Sequence, residues 1–158
     1  KSGRIGVIGT TGTIESSEYK KALQAANDTL QVVGKACPLF VLIVENNLVQ
    51  TPEAQKVAEE YLAPLVRENI DTLILGCTHY PLMAALIQNT TGPSVHLINS
   101  AEEIATEVGG ILDAQNMANP LQGECPAYRF FVSGSPAPFE EVGSQLLNRR
   151  IKAYQVLL

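Results

Sequence analysis

The chain has 158 residues, is 46% hydrophobic and 17% charged, and carries a net charge of −5. This is the balance of an ordinary globular protein, with material for one well-filled core and part of another. No apolar run approaches the ~20 residues of a membrane-spanning helix, and no cluster of Lys and Arg offers a phosphate-neutralising surface, so membrane insertion and nucleic-acid binding are both set aside.

Three cysteines, Cys37, Cys77 and Cys125, occur without C-x-x-C spacing. That argues against a disulfide framework or a structural zinc and for a reduced, cytoplasmic setting. The start, Lys1-Ser2-Gly3-Arg4, lacks the apolar h-region of a signal peptide and does not begin with Met; a trimmed chain or a fragment is the expectation.

In chain order, strand signals alternate with helical ones, the pattern of βαβ units around a parallel sheet. Residues 4–10 read as a first strand, followed by the small, hydroxyl-rich loop Gly9-Thr10-Thr11-Gly12-Thr13. Glu15 to Ala26 has helical spacing, with Tyr19, Leu23 and Ala26 on one face. Leu30 to Gly34 is a second strand leading into Cys37-Pro38. Leu39 to Val44 is apolar and fits either a strand or a short helix. Thr51 as N-cap and Pro52 at the first helical position start a helix expected to reach Glu68, with Pro64 as a possible kink. Asp71 to Gly76 is a third strand, followed by a helix from Pro81 to Gln88. Val95 to Asn99 is a fourth strand. Ser100 and Glu103 then form a capping box for a helix to about Asn116. The stretch from Asn119 to Pro126 reads as a connection, Tyr128 to Gly134 as a fifth strand, and Phe139 to Leu147 as a last helix. Arg149, Arg150 and Lys152, the only short basic group, read as a solvated helix end. The organisation is thus an α/β unit of about 100 residues and a tail too small to fold alone.

The chemistry concentrates in Leu73-Ile74-Leu75-Gly76-Cys77-Thr78-His79-Tyr80-Pro81-Leu82. The apolar run is a strand buried on both faces, and a thiol, a hydroxyl and an imidazole follow at its carboxyl end, where open α/β sheets bind ligands. A helix start at Pro81 would favour thiolate through the macrodipole. Cys77 alone also fits a packed thiol, and His79 alone fits a structural histidine. Together they make a nucleophile or base with an assisting acid. The Gly9–Thr13 loop offers backbone N–H groups and hydroxyls to a carboxylate or small phosphate, or is a common turn; it matches neither a Walker A loop nor a dinucleotide fingerprint. Cys37 reads first as a packed thiol. Glu45 is either a solvated helix-face carboxylate or the group that orients His79. Cys125, in a connection, is incidental.

The stretch Leu75-Gly76-Cys77-Thr78-His79-Tyr80-Pro81-Leu82 resembles the second catalytic motif of glutamate racemases, within the cofactor-independent aspartate/glutamate racemase family. Ile5 to Thr13 resembles that family's threonine-bearing substrate loop. Ala36-Cys37-Pro38-Leu39-Phe40-Val41 resembles a third marker, and Asn99-Ser100-Ala101 a fourth. The likeness is specific around Gly76–Pro81 and loosens after Gly109. It implies a parallel-sheet three-layer sandwich, one lobe of a two-lobe racemase fold: residues 1–100 as the second catalytic lobe, residues 101–158 as a crossover helix and a strand-helix segment belonging to the first lobe.

By the same resemblance Cys77, His79 and Glu45 are catalytic, while Thr10, Thr13 and Thr78 bind the substrate, glutamate. No cofactor and no metal are needed, the product D-glutamate serves peptidoglycan, and the intact protein is a homodimer. The chain departs from the family in one respect. It has no Asp-Ser near a first strand and no Cys-Asn-Thr segment with the opposing cysteine, so the N-terminal half is missing and the chain alone is expected to be inactive. Aspartate racemase and a non-catalytic carboxylate-binding lobe are the alternatives.

Overall fold

The computed structural model describes residues 2–119 and 128–157. The chain divides into two compact units, residues 1–110 and 111–158.

In the first unit four strands form one parallel sheet in the order β2-β1-β3-β4: β1 (Arg4–Gly9), β2 (Gln31–Ala36), β3 (Thr72–Leu75) and β4 (His96–Asn99). β1 and β3 are central, and their buried, near-continuous apolar runs are what a strand covered on both faces requires. The period of two sorts the side chains. Ile8, Leu73 and Leu75 enter the main core with Phe40, Leu62, Leu65, Met83 and Ile87. Val7, which pairs with Gly34 and Ile74, lies on the opposite face. A Cβ on Gly34 would come 3.2 Å from the Ile14 side chain, so the helix carrying Ile14 packs tightly over that face. Helices on both faces make the three layers.

Four helices follow β1 and β2: α1 (Thr11–Ser16), α2 (Glu18–Ala26), α3 (Leu39–Glu45) and α4 (Pro52–Arg67). The single helix expected over Glu15–Ala26 is two. Ser17 breaks it in a left-handed conformation (φ 59°) and its N–H closes α1 on the Ile14 carbonyl. The apolar run after Pro38 is helix rather than strand, with Phe40, Ile43 and Val44 inward at helical spacing. Thr51 caps α4 as expected, accepting from the Ala54 N–H at 3.2 Å, and the helix continues through Pro64.

After β3 the chain makes a 3₁₀ turn (Tyr80–Met83) before α5 (Ala84–Thr91). The helix expected from Pro81 therefore becomes α-helical only at Ala84. A macrodipole acts within about one turn of its end, so its expected influence on Cys77 is removed to a distance. α6 (Ser100–Ala114) follows β4 directly. Its cap is Asn99, whose Oδ1 accepts from the Ala101 N–H and whose Nδ2 donates to Glu102. The box expected at Ser100 and Glu103 is shifted by one residue because the Ser100 hydroxyl is drawn to the Leu75 carbonyl at 3.2 Å.

The second unit contains β5 (Phe130–Val132), α7 (Pro136–Leu146) and β6 (Ala153–Gln155), a βαβ unit with a two-stranded parallel sheet. Among its described residues Ile151 and Ala153 are buried, while Phe131, Phe139 and Tyr154 stay exposed. The basic group is no helix end in solvent alone. Arg149 stacks on the Tyr128 ring at 4.0 Å, and Lys152 lies 5.6 Å from the centre of the Tyr154 ring. Cys125 and most of the expected connection lie outside the described residues. Among those residues, no helix is long and apolar enough to cross a membrane.

Candidate active site

Four strand ends meet at the carboxyl edge of the sheet, and hydrogen bonds stitch them together. The Cys37 N–H donates to the Gly9 carbonyl at 2.9 Å, and the Gly76 N–H to the Ile8 carbonyl at 2.8 Å. Ser100 bonds back to Leu75. Backbone that leaves a sheet must find such partners or face water; here it finds them, so the residues just beyond each strand are held in place. A Cβ on Gly76 would sit 2.8 Å from the Ile8 carbonyl oxygen and 3.1 Å from the Tyr19 ring. Only glycine allows β3 to run this close to β1 before the chain turns out at Cys77.

Cys77 is partly buried, and its sulfur lies 3.9 Å from His79 Nδ1. The Thr78 hydroxyl lies 3.4 Å from the same nitrogen. On the far side of the ring, His79 Nε2 meets Glu45 Oε1 at 3.0 Å. An ionised carboxylate only accepts, so Glu45 holds the hydrogen on Nε2. A ring carrying that one hydrogen has its lone pair on Nδ1, toward the thiol and hydroxyl. This is the tautomer that can take a proton from sulfur and give it back. Sequence reading left Glu45 open between solvation and orientation; the structure puts it on the imidazole. The side chains of His79 and Glu45 are 30% and 58% exposed, so water competes for this pair and it is worth little as a stabilising contact. Its value is directional.

Thr10 and Thr13 lie at the end of β1. Their hydroxyl oxygens are 2.9 Å apart, and Thr10 also accepts from the Thr13 N–H as the cap of α1. Both are partly exposed. The loop is thus ordered by its own hydroxyls, which present further lone pairs and protons at the edge where Cys77 emerges.

Cys37 has no exposed surface, and burial pushes its thiol up to about 12. A group that hard to ionise is packing, not a nucleophile. Tyr80, also fully buried, has its phenol raised above the ordinary value by burial first and by the neighbouring cysteines second. Tyr80 and Phe40 stand in the sequence motifs without a role of their own. The available signal was a large aromatic sandwiched between a polar motif and a proline. Among the described residues, no group of three or more His, Cys, Asp or Glu side chains is arranged to hold a metal.

The profile of the Asp/Glu/hydantoin racemase family matches residues 1–108. The chain belongs to that family. Its curated relatives include glutamate racemases of Carnobacterium sp. (strain St2), 48% identical over 145 residues, and of Syntrophus aciditrophicus, 41% identical over 147 residues. Those matches take in 91% and 93% of the chain and 54% of each relative; this racemase-family chain spans about half the length of the curated relatives it matches. Among solved structures, glutamate racemase isoform RacE1 from Bacillus anthracis superposes over the whole chain and 59% of its own, with a TM-score of 0.90 and 42% identity. Glutamate racemase from Francisella tularensis in complex with D-glutamate gives a TM-score of 0.85 at 31% identity, over 99% of this chain and 57% of its own.

Proposed function

We propose that this chain is the second catalytic lobe, with the returning C-terminal segment, of a glutamate racemase. The observation that carries the reading is the Cys77–His79–Glu45 relay at the carboxyl edge of the sheet, beside the Thr10–Thr13 loop. Residues 1–100 act as the lobe. Residues 101–158 act as the crossover helix and a strand-helix pair that completes the other lobe, which accounts for the meagre core of the second unit.

The α-hydrogen of an amino acid is a very weak acid, so the carbanion that forms on its removal must be stabilised and water kept away. The hydroxyls of Thr10, Thr13 and Thr78 bind the glutamate carboxylate. His79 takes the proton of Cys77 at Nδ1 while Glu45 holds Nε2, leaving a thiolate. The thiolate removes the α-proton and becomes a thiol; the electron pair of the broken C–H bond stays on the α-carbon. A second thiol on the opposite face delivers a proton to that carbon and inverts it. Run backwards, Cys77 is the donor. The second thiol belongs to the N-terminal half, so the isolated chain has a base and no opposing acid. The racemase supplies D-glutamate for peptidoglycan in the cytoplasm, and the intact protein is a homodimer.

Chiral chromatography of the reaction with L-glutamate tests this. The chain alone is expected to form little or no D-glutamate. Adding the separately made N-terminal half of a full-length relative restores it, and Cys77→Ser in the chain lowers the restored rate by about 10³-fold, the scale of a lost acid–base group. Robust turnover by the chain alone overturns the two-thiol account. Restored turnover of aspartate in preference to glutamate makes it an aspartate racemase, and binding without turnover a carboxylate-binding lobe.

A further inference from the structure

The His79–Glu45 pair is partly exposed and made by two elements far apart in sequence, yet the relay needs its direction fixed. Something other than the pair itself must hold α3 against the 77–80 turn. Ile43 and Val44 pack α3 into the core, and a hydrogen-bonded junction ties its first turn to the reactive turn. The carbonyl oxygen of Cys37 accepts two hydrogen bonds: from the Phe40 N–H at 3.1 Å, which opens the first turn of α3, and from the Tyr80 hydroxyl at 2.8 Å. A carbonyl has two lone pairs, and both are used. Tyr80 follows His79 directly, and its own N–H donates to the Cys77 carbonyl at 3.2 Å. The Phe40 ring meets the Tyr80 ring edge-on, with centroids 5.4 Å apart and planes at 87°, and meets Tyr61 of α4 on another side at 5.4 Å and 67°. Both Phe40 and Tyr80 are fully buried.

We propose that Tyr80, seated on Phe40 and bonded to the Cys37 carbonyl, is a positioning residue that fixes Glu45 against His79 and so sets the tautomer presented to Cys77. The proposal rests on the relay described above. It does not require that the relay racemise anything. A ring pair of this kind has one good packing and few neighbouring ones, so the end of β2, the start of α3 and the reactive turn move as one body. Glu45, the last residue of α3, is then delivered to the imidazole by backbone placement. The alternative role for Tyr80 is core packing with a satisfied hydroxyl. That role predicts lost stability and an unchanged imidazole.

The experiment compares Tyr80→Phe with Glu45→Gln in the chain as it stands. Two readouts are used: the ¹⁵N shifts of the His79 ring, which report the tautomer, and the rate of iodoacetamide alkylation at Cys77, located by peptide mass mapping so that Cys125 does not interfere. Tyr80→Phe keeps the ring on Phe40 and removes only the bond to Cys37. It is expected to lose the Nε2–H preference and to slow alkylation about fivefold, as Glu45→Gln does. The double variant is expected to add little further, because the two substitutions break one device. Ile87→Val, a mild lesion in the same core, should leave both readouts unchanged. If Tyr80→Phe proves unfolded, Phe40→Leu removes the edge-on contact while keeping the backbone bond and should give the same two changes. Nitrogen shifts and alkylation matching the unaltered chain in these variants overturn the proposal. That outcome leaves the racemase reading intact, since neither readout depends on turnover, and a failed D-glutamate assay likewise leaves the positioning role standing.

Discussion

The two units of the chain bury their side chains to very different degrees. In the first, Ile8, Phe40, Leu62, Leu65, Leu73, Leu75, Met83 and Ile87 have no exposed surface, and each central strand has a partner on both sides. In the second, Ile151 and Ala153 are buried, α7 has no buried residue, and each strand of the two-stranded sheet has one neighbour. Both have βαβ connectivity and both have aromatic residues to spend. The difference is coverage. A sheet stabilises a domain only when its faces are closed, and a two-stranded sheet is marginal by itself. The first unit has a filled core on one face of its sheet, whereas the described residues of the second have the strands and helix of a layer structure with few side chains buried between them.

Amide hydrogen exchange tests the contrast most severely. Amides of β1 and β3 are expected to open only with the whole unit, and those of β5 and β6 by local opening, so protection should differ by about 10³-fold or more. Equal protection in the two sheets would erase the distinction.

Truncation of an aromatic residue comes next. Phe40→Ala removes a fully buried ring and should cost about 3–5 kcal/mol in chemical denaturation. Phe131→Ala removes a ring that is 59% exposed and should cost no more than about 0.5 kcal/mol. A large penalty at Phe131 would mean that the second unit is better packed than described.

The last effect is confined to alkaline solution. Burial pushes the Cys37 thiol up from its ordinary value of 9.0 to about 12. Its folded value is raised, so its neutral form contributes stability in full below pH 9, and that contribution is lost as the pH climbs toward 12. Thermal melts between pH 8 and 11 should show a falling Tm that is flatter in Cys37→Ala. An equal fall in both would place the alkaline weakness elsewhere.

Much of the first unit was readable in advance because period and punctuation are local. Four strands, the cap at Thr51 and the sulfur motif all followed from residues within one window. The misses share a cause. Ser17 carries no glycine or proline signal, yet it breaks a helix. Ser100 and Asn99 are equally good caps by residue type, but the Ser100 hydroxyl is used by a strand it meets only in the folded chain. The run after Pro38 is too short for its period to choose between helix and strand. In the site, Cys77 and His79 were legible as neighbours in sequence. Glu45 is 34 residues away from His79, so only the folded chain shows the two in contact. Phe40 and Tyr80 were hidden because a buried aromatic looks the same whether it fills space or aims a neighbour.

The glycine ahead of the sulfur has a consequence for anyone hoping to retune this protein. At Gly76 even a methyl group would press on the carbonyl of an adjoining strand and on a tyrosine ring. The constraint there is room, not reactivity. Randomising that codon gains nothing, because every non-glycine side chain would displace the turn that carries Cys77.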